Sequence, residues 1–272
     1  MPLEPHTTLA HDPENTVRNT STTVDLGSEM YIRERLDPLP GDAAYLHLSD
    51  LLLAVRDLIP RDAMRVLDFG CGGSPYRSLF GDRTYHRADL AGTGASLDFE
   101  YGADSLLPVP SEDYDCVLSS QVLEHVGSPT SYLAECYRVL RPGGHLILTT
   151  HGIFEDHACP YDYWRWTVYG LRKSVEEAGF GVQKIKKLTT GPRAAVFIAQ
   201  RERSRLVFKQ ARLSTRVGLY SRLLDYGMRL FYSAGAWRIH RACDANFPQH
   251  RIVDTDVPGH DVYIAIALIA SR

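Results

Sequence analysis

What this chain lacks narrows its function before any motif is read. No stretch approaches the roughly 20 apolar residues that a membrane-crossing helix needs. The densest apolar run, 262–270, is short and reads as a buried strand. Residues 1–19 carry acids, prolines and histidines where a signal peptide would need an apolar segment. Positive charge is not in surplus: 30 Lys and Arg face 33 Asp and Glu, a net charge of −3, which argues against a dedicated nucleic-acid binder. The five cysteines, Cys71, Cys116, Cys136, Cys159 and Cys243, are odd in number and scattered, with no CxxC pair. That excludes a disulfide scaffold or zinc knuckle and fits a reducing, cytoplasmic setting. Internal repeats and low-complexity tracts are absent too.

What is present suits a soluble enzyme. With 272 residues, 44% hydrophobic and 23% charged, the chain can bury a sizeable core in one large domain with an appendage. Residues 1–30 are polar and without apolar period, and predict a flexible arm. Residues 31–62 predict N-terminal helices, the second over Asp42–Ile59 and stopped by Pro60. From Met64 the pattern alternates. Strands are expected at Arg65–Phe69, Thr84–Asp89, Ala95–Tyr101, Tyr114–Ser119, His145–Thr150 and Val182–Leu188. Helices are expected at Pro129–Leu140, closed by Arg-Pro-Gly-Gly, and at Val168–Ala178. Such alternation implies βαβ crossovers and a mostly parallel sheet. The rhythm then breaks. Residues 191–259 predict a helical insertion of two or three helices before the last strand. Arg201, Arg203, Arg205, Lys209, Arg212, Arg216, Arg222 and Arg229 are interleaved there with apolar residues. The core is therefore placed at 63–190 plus 260–272.

The strongest local signal is Val66-Leu67-Asp68-Phe69-Gly70-Cys71-Gly72-Gly73-Ser74, an apolar strand running through an acid into a glycine turn. Glycines let the backbone bend sharply and approach a ligand. About twenty residues on stands Asp89, well placed to accept hydrogen bonds from a ribose diol. A dinucleotide site would want a third glycine, but that slot holds Pro75, which offers no N–H to a phosphate. Asp68 would also repel a pyrophosphate. A phosphate-free cation suits this acid better, and S-adenosylmethionine, with its ammonium and sulfonium, is such a ligand.

The chain resembles the class I S-adenosylmethionine-dependent methyltransferases, in their type 11 branch. The stretches that carry the likeness are LDFGCGGSPY at 67–76, Asp89, LLPVPSEDYDCVLSSQVLEHV at 106–126 and YRVLRPGGHLILTT at 137–150. The resemblance implies an α/β, Rossmann-like, seven-stranded, mostly parallel sheet with helices on both faces and an antiparallel last strand. It implies S-adenosylmethionine as cofactor, held by Asp68, Gly70, Cys71 and Gly72 in the glycine turn and by Asp89 and Leu90 at the ribose. Ser74 stands where the family has a third small glycine. Asp104 lies beside Ala103, the slot of the usual adenine-side acid, and either its carboxylate or the backbone would serve. Gln121 is expected to face the methionine end of the cofactor. Glu124 and His125 complete a Leu-Glu-His block; either they orient the following helix or His125 reaches the acceptor.

Past the fifth strand the chain reads His151-Gly-Ile-Phe-Glu-Asp-His157-Ala-Cys-Pro-Tyr161-Asp-Tyr163-Trp-Arg165-Trp-Thr. Loops at the carboxyl ends of strands bind ligands in open α/β sheets. The segment resembles the His…Pro-Tyr-Asp-Tyr-Trp-Arg signature of a subgroup associated with polysaccharide biosynthesis. His157 or His151 is the candidate general base. Tyr161 and Tyr163 are candidates for stacking on the acceptor, or for packing. Arg165 is a candidate for gripping an anion, or a structural partner of Asp162. The spacing does not define a metal site, and none is expected. The sequence thus points to O-methylation of a sugar or glycan-related small molecule. A methyltransferase for another metabolite hydroxyl or amine, and a non-catalytic cofactor-binding assembly partner, stay open. So do three roles of the insertion: a cap over the acceptor, a homodimer interface and a peripheral membrane contact.

Overall fold

The computed structural model describes residues 28–92, 96–102, 104–157, 161–214, 218–254 and 262–272. Most of the expected flexible arm therefore lies outside the described residues. Eight strands form one sheet: β1 (Arg65–Phe69), β2 (Thr84–Leu90), β3 (Phe99–Tyr101), β4 (Tyr114–Ser120), β5 (Leu140–His151), β6 (Gly181–Thr190), β7 (Ile252–Asp254) and β8 (Tyr263–Ser271). Their order across the sheet is β3-β2-β1-β4-β5-β8-β6-β7. Pairings from β3 through β5 are parallel, while β8 runs antiparallel to both β5 and β6. The architecture is the expected Rossmann-like one, with one strand more than the seven anticipated. The addition is the three-residue β7, paired antiparallel to the edge of β6.

Among the described residues six α-helices accompany the sheet: α1 (Glu29–Leu36), α2 (Tyr45–Leu58), α3 (Pro129–Val139), α4 (Val168–Glu177), α5 (Gly191–Ser214) and α6 (Gly218–Asn246). The central strands read as unbroken apolar runs because both faces of the sheet are covered. On one face Leu67, Val117, Leu146, Leu148, Ile266 and Leu268 pack with Tyr132, Leu133 and Cys136 of α3 and Leu171 and Val175 of α4. On the other, the alternate residues Val66, Cys116, Leu118, Ile147, Ala265 and Ala267 pack with Leu48, Leu51, Leu52 and Val55 of α2. Ser128 caps α3 by accepting the Ser131 N–H, with Pro129 in the first turn. Thr167, the last residue of the aromatic signature, caps α4 through the Gly170 N–H.

Two expectations are displaced for visible reasons. The Arg-Pro-Gly-Gly stretch lies inside β5, because Gly143 donates to Arg272 and Arg272 donates back to Gly144. The third strand shortens to Phe99–Tyr101, which pairs only with Ala88–Leu90; Ala95 lies outside the described residues. The insertion is two long helices, and its expected end at 259 is overrun by β7, which returns to the sheet; a buried ionic network joins the helices to the core. Arg193, at the start of α5 and fully buried, donates Nε and Nη2 to Asp50 of α2 at 2.7 and 2.9 Å. Its Nη1 donates to Asp244 of α6 at 2.7 Å. Arg251 also donates to Asp50, Thr189 of β6 donates to its Oδ2, and Tyr45 donates to Asp244.

Removing one partner from such a network leaves buried charge uncompensated. Arg193→Ala is expected to lower stability by about 3 kcal/mol or more. Urea unfolding of the full chain checks this; a loss under about 0.5 kcal/mol, the size of an ordinary surface substitution, contradicts it.

Candidate functional site

Strand order reverses between β1 and β4, and ligands bind beyond the carboxyl ends of strands at such a switch. The two chain segments leaving those ends meet there. Gly70 has φ +78°, and a Cβ on it would fall 2.6 Å from the Val122 side chain, so the turn after β1 closes directly on the segment after β4. Gly72 has φ +50° and donates its N–H to Asp89 Oδ2 at 2.6 Å. The Leu90 N–H donates to Asp89 Oδ1 at 2.7 Å. Asp89 thus shapes the turn while each carboxylate oxygen keeps a further lone pair. Burial raises its pKa, opposed by those two N–H groups. Cys71 is buried between the glycines, and burial pushes its thiol up.

Asp68 is more enclosed than its place beside a ligand turn suggests. It is 3% exposed and accepts the Tyr85 hydroxyl at 2.7 Å. Burial raises its pKa to about 7, against the pull of the Tyr85 and Ser74 hydroxyls. Gln121, at φ +58°, donates Nε2 to Thr149 at 3.1 Å, while its buried Oε1 has no hydrogen-bond partner. An acceptor oxygen without a donor and a free pair of carboxylate lone pairs beside a glycine turn fit a cofactor carrying an ammonium and a ribose diol. Asp104 stands at the surface after β3. It is exposed and its carboxylate accepts the Leu106 N–H at 3.2 Å, closing a local turn.

The Leu-Glu-His block and the aromatic loop form one unit. The Glu124 carbonyl accepts the N–H groups of Tyr163 and Trp164, at 2.8 and 3.1 Å. His125 Nδ1 lies 2.6 Å from the Tyr161 carbonyl, and the Trp164 indole donates to the Val126 carbonyl. Because a carbonyl only accepts, His125 carries its proton on Nδ1. Burial lowers its pKa. The Glu124 carboxylate is fully buried: Thr150 donates to one oxygen at 2.8 Å and His151 Nε2 stands 3.2 Å from the other. Burial lifts Glu124 to about 7 and drives His151 well below its ordinary value.

His151 is therefore the last residue of β5 and lies inside the protein, where the sequence had placed it on a loop. Its ring stacks on Phe154 at 3.9 Å and meets His157 edge-on at 4.9 Å. His157 also meets His125 at 4.9 Å, so three histidines form one contiguous cluster. Tyr161, Tyr163 and Trp164 are 58%, 52% and 40% exposed beside it. The anion-gripping reading of Arg165 gives way to the structural one. All five of its N–H groups are engaged, with both Asp162 oxygens and the carbonyls of Phe154, Glu155 and Trp164. Burial would raise Asp162, but Arg165 and the His157 N–H and ring hold it down at about 2.

Two features escaped the sequence. His47 of α2 is buried against His151, Phe154 and Phe197, and burial pushes it down to about 3. Its sequence signal was a polar pair, His47 and Asp50, three apart on an apolar helix face. Glu155 pairs with Arg201 and, at 2.9 Å, with Arg205, which brings α5 against the aromatic loop. Only the folded loop makes that pair legible.

The protonation of Asp68 has a consequence for the ligand-free protein. A carboxyl raised from 3.8 to about 7 holds its proton in the folded chain after the unfolded chain has lost it. Its contribution is whole below about pH 4 and is lost as pH rises through about 7. Asp68→Asn, which cannot ionise, is expected to flatten the decline in melting temperature between pH 5 and 8; an unchanged slope contradicts the assignment.

A family model described as "Methyltransferase domain" matches residues 42–181, just over half of the chain. The ubiquinone biosynthesis O-methyltransferase of Roseobacter denitrificans is 31% identical over 105 residues, 34% of this chain and 42% of that protein. The protein of the same name from Parvibaculum lavamentivorans is 29% identical over 134 residues, 44% and 49% of the two chains. The chain thus spans less than half the length of these curated relatives. In fold it is similar to the [4+2]-cyclase SpnF, with a TM-score of 0.53 and 20% identity over 85% of this chain and 83% of that one. The glycine turn, the Asp89 carboxylate and the Leu-Glu-His block all lie within the matched residues, and the chain belongs to the methyltransferase-domain family, with S-adenosylmethionine as its cofactor.

Proposed function

We propose that this chain is an S-adenosylmethionine-dependent O-methyltransferase acting on a ring-bearing small molecule, a sugar or glycan precursor first. One observation carries the reading. The histidine-lined wall continues directly from the cofactor turn: Gly70 abuts Val122, Gln121 is bonded to Thr149, and Glu124 is bonded to Thr150 and faces His151. Reactants and a proton acceptor are thereby held at one edge of the sheet.

The cofactor, when bound, supplies a sulfonium-activated methyl group. The chain's own residues do the rest. Asp89 offers its remaining lone pairs to the ribose hydroxyls, and Gln121 Oε1 accepts from the amino-acid end. Transfer to a hydroxyl oxygen requires that its proton leave, and His157 is placed to take it. His157 is partly exposed, with a carbonyl of Glu155 at 3.1 Å from Nδ1 and Asp162 at 3.5 Å. That arrangement puts the proton of the neutral ring on Nδ1 and leaves the other nitrogen as the base. His151 is too enclosed to meet an acceptor unaided, and positions His157 across their edge-on contact. The exposed Tyr161, Tyr163 and Trp164 rings offer a stacking shelf for a sugar face. We assign α5 and α6 to a cap over this side, a role supported by the Glu155 pairs with Arg201 and Arg205.

The names of the curated relatives favour a second reading within the same chemistry, O-methyl transfer to a ring hydroxyl in ubiquinone biosynthesis. Turnover of S-adenosylmethionine to S-adenosylhomocysteine across a panel of sugars, nucleotide sugars and phenols separates the two. His157→Ala is expected to lower kcat by about 100-fold or more while cofactor affinity by titration calorimetry stays within about 3-fold. Full turnover at neutral pH in both His157→Ala and His151→Ala rules out a histidine base. Tyr163→Ala is expected to raise the acceptor KM about 10-fold with little change in kcat, the mark of lost binding alone.

A further inference from the structure

We infer that Glu124, His151 and His157 form a binding site for one divalent transition-metal ion, with zinc or cobalt the best-suited occupants. The three residues come from the turn after β4, the end of β5 and the loop beyond it. No sequence spacing joins them, and a metal was not expected from the sequence. Folding brings one ligand atom of each within 4.8 Å of the others. The Glu124 and His151 atoms are 3.2 Å apart, close to the separation of neighbouring ligands around an ion with bonds of about 2 Å.

Three further observations point to an ion. Glu124 is fully buried, and its Oε1 has no hydrogen-bond partner although His151 Nε2 faces it. A buried carboxylate oxygen left without a donor is costly, and a cation between it and the imidazole removes that cost. Hydrogen bonds orient Glu124 and His157 as an outer shell does, while His151, whose buried Nδ1 has no partner, is held by ring packing. Thr150 holds the second Glu124 oxygen, Phe154 fixes the His151 plane, and the Glu155 carbonyl takes the Nδ1 proton of His157. Two imidazoles and a carboxylate favour zinc, cobalt or nickel over magnesium or calcium, which prefer oxygen donors.

A second cluster, His125, His157 and Asp162, shares His157 but is already satisfied. Both Asp162 oxygens are taken by Arg165, and His125 Nδ1 by the Tyr161 carbonyl. Three protein ligands leave coordination positions open on the exposed His157 side, as in catalytic rather than structural sites. With the ion bound, an acceptor hydroxyl on it would ionise more readily and lose its proton to solvent, His157 serving as a ligand; in the metal-free chain His157 keeps the role of base. That use rests on the methyl-transfer reading. Binding of the ion does not.

The test therefore reads binding without acceptor or cofactor. The full chain, stripped with a chelator, is titrated with Co²⁺ under visible spectroscopy and with Zn²⁺ by calorimetry. One saturating equivalent with d–d absorption bands, displaced by Zn²⁺, is expected. Glu124→Gln and His157→Ala should each weaken binding at least 100-fold, and His125→Asn should leave it within about 3-fold. Because Glu124 is buried, the partly exposed His157→Ala carries the result, with its metal-free melting temperature as the folding control. No saturable binding by the unaltered chain, or equal losses in His125→Asn and His157→Ala, overturns the site. Methyl transfer that persists in chelator alongside failed metal binding leaves the enzymatic reading standing, and tight binding without any turnover leaves the metal site standing.

Discussion

Glu124 is where the parts of this molecule are tied to one another. Its carbonyl accepts two N–H groups of the aromatic loop, and its carboxylate lies against Thr150 and His151 at the end of the neighbouring strand. A fully buried carboxyl group is expensive, and burial lifts this one to about 7. The cost is borne where the segments leaving two adjacent parallel strands must stay in register. Those bonds, with the His125 and Trp164 contacts, tie residues 161–164 to the turn after β4.

The insertion is attached by a different kind of constraint. Arg193 shares its donors between Asp50 and Asp244, so α2, α5 and α6 converge on one enclosed guanidinium. Its planar fork suits two carboxylates better than an ammonium would. Farther along α5, Arg201 and Arg205 reach Glu155 of the aromatic loop. The same helix is thus pinned to the core at its beginning and to the aromatic loop by its middle.

The electrostatics of the site run against a simple charge reading. Asp68 and Glu124 are both displaced upward by burial, to about 7. Arg165, the conspicuous cation of the aromatic loop, has no donor left for an outside ligand. The exposed groups beside the histidines are aromatic rings, Tyr161, Tyr163 and Trp164.

The order of elements was legible in the amino-acid sequence because it depends on local pattern. Apolar runs bounded by glycine and proline marked β1, β2, β4, β6 and β8 to within two residues and the second half of β5, whose first half was hidden by Arg-Pro-Gly-Gly. The antiparallel closing strand was reached through family likeness. What the pattern could not express is pairing between distant side chains. His151 read as a loop residue because the polar groups flanking it masked the end of β5. Arg165 read equally as an anion clamp or a partner of Asp162, and only the closed loop decided. The meeting of Glu124 with His151 and His157 depends on three segments brought together by the β4–β5 register, and one-dimensional spacing carries no record of a contact made across a sheet.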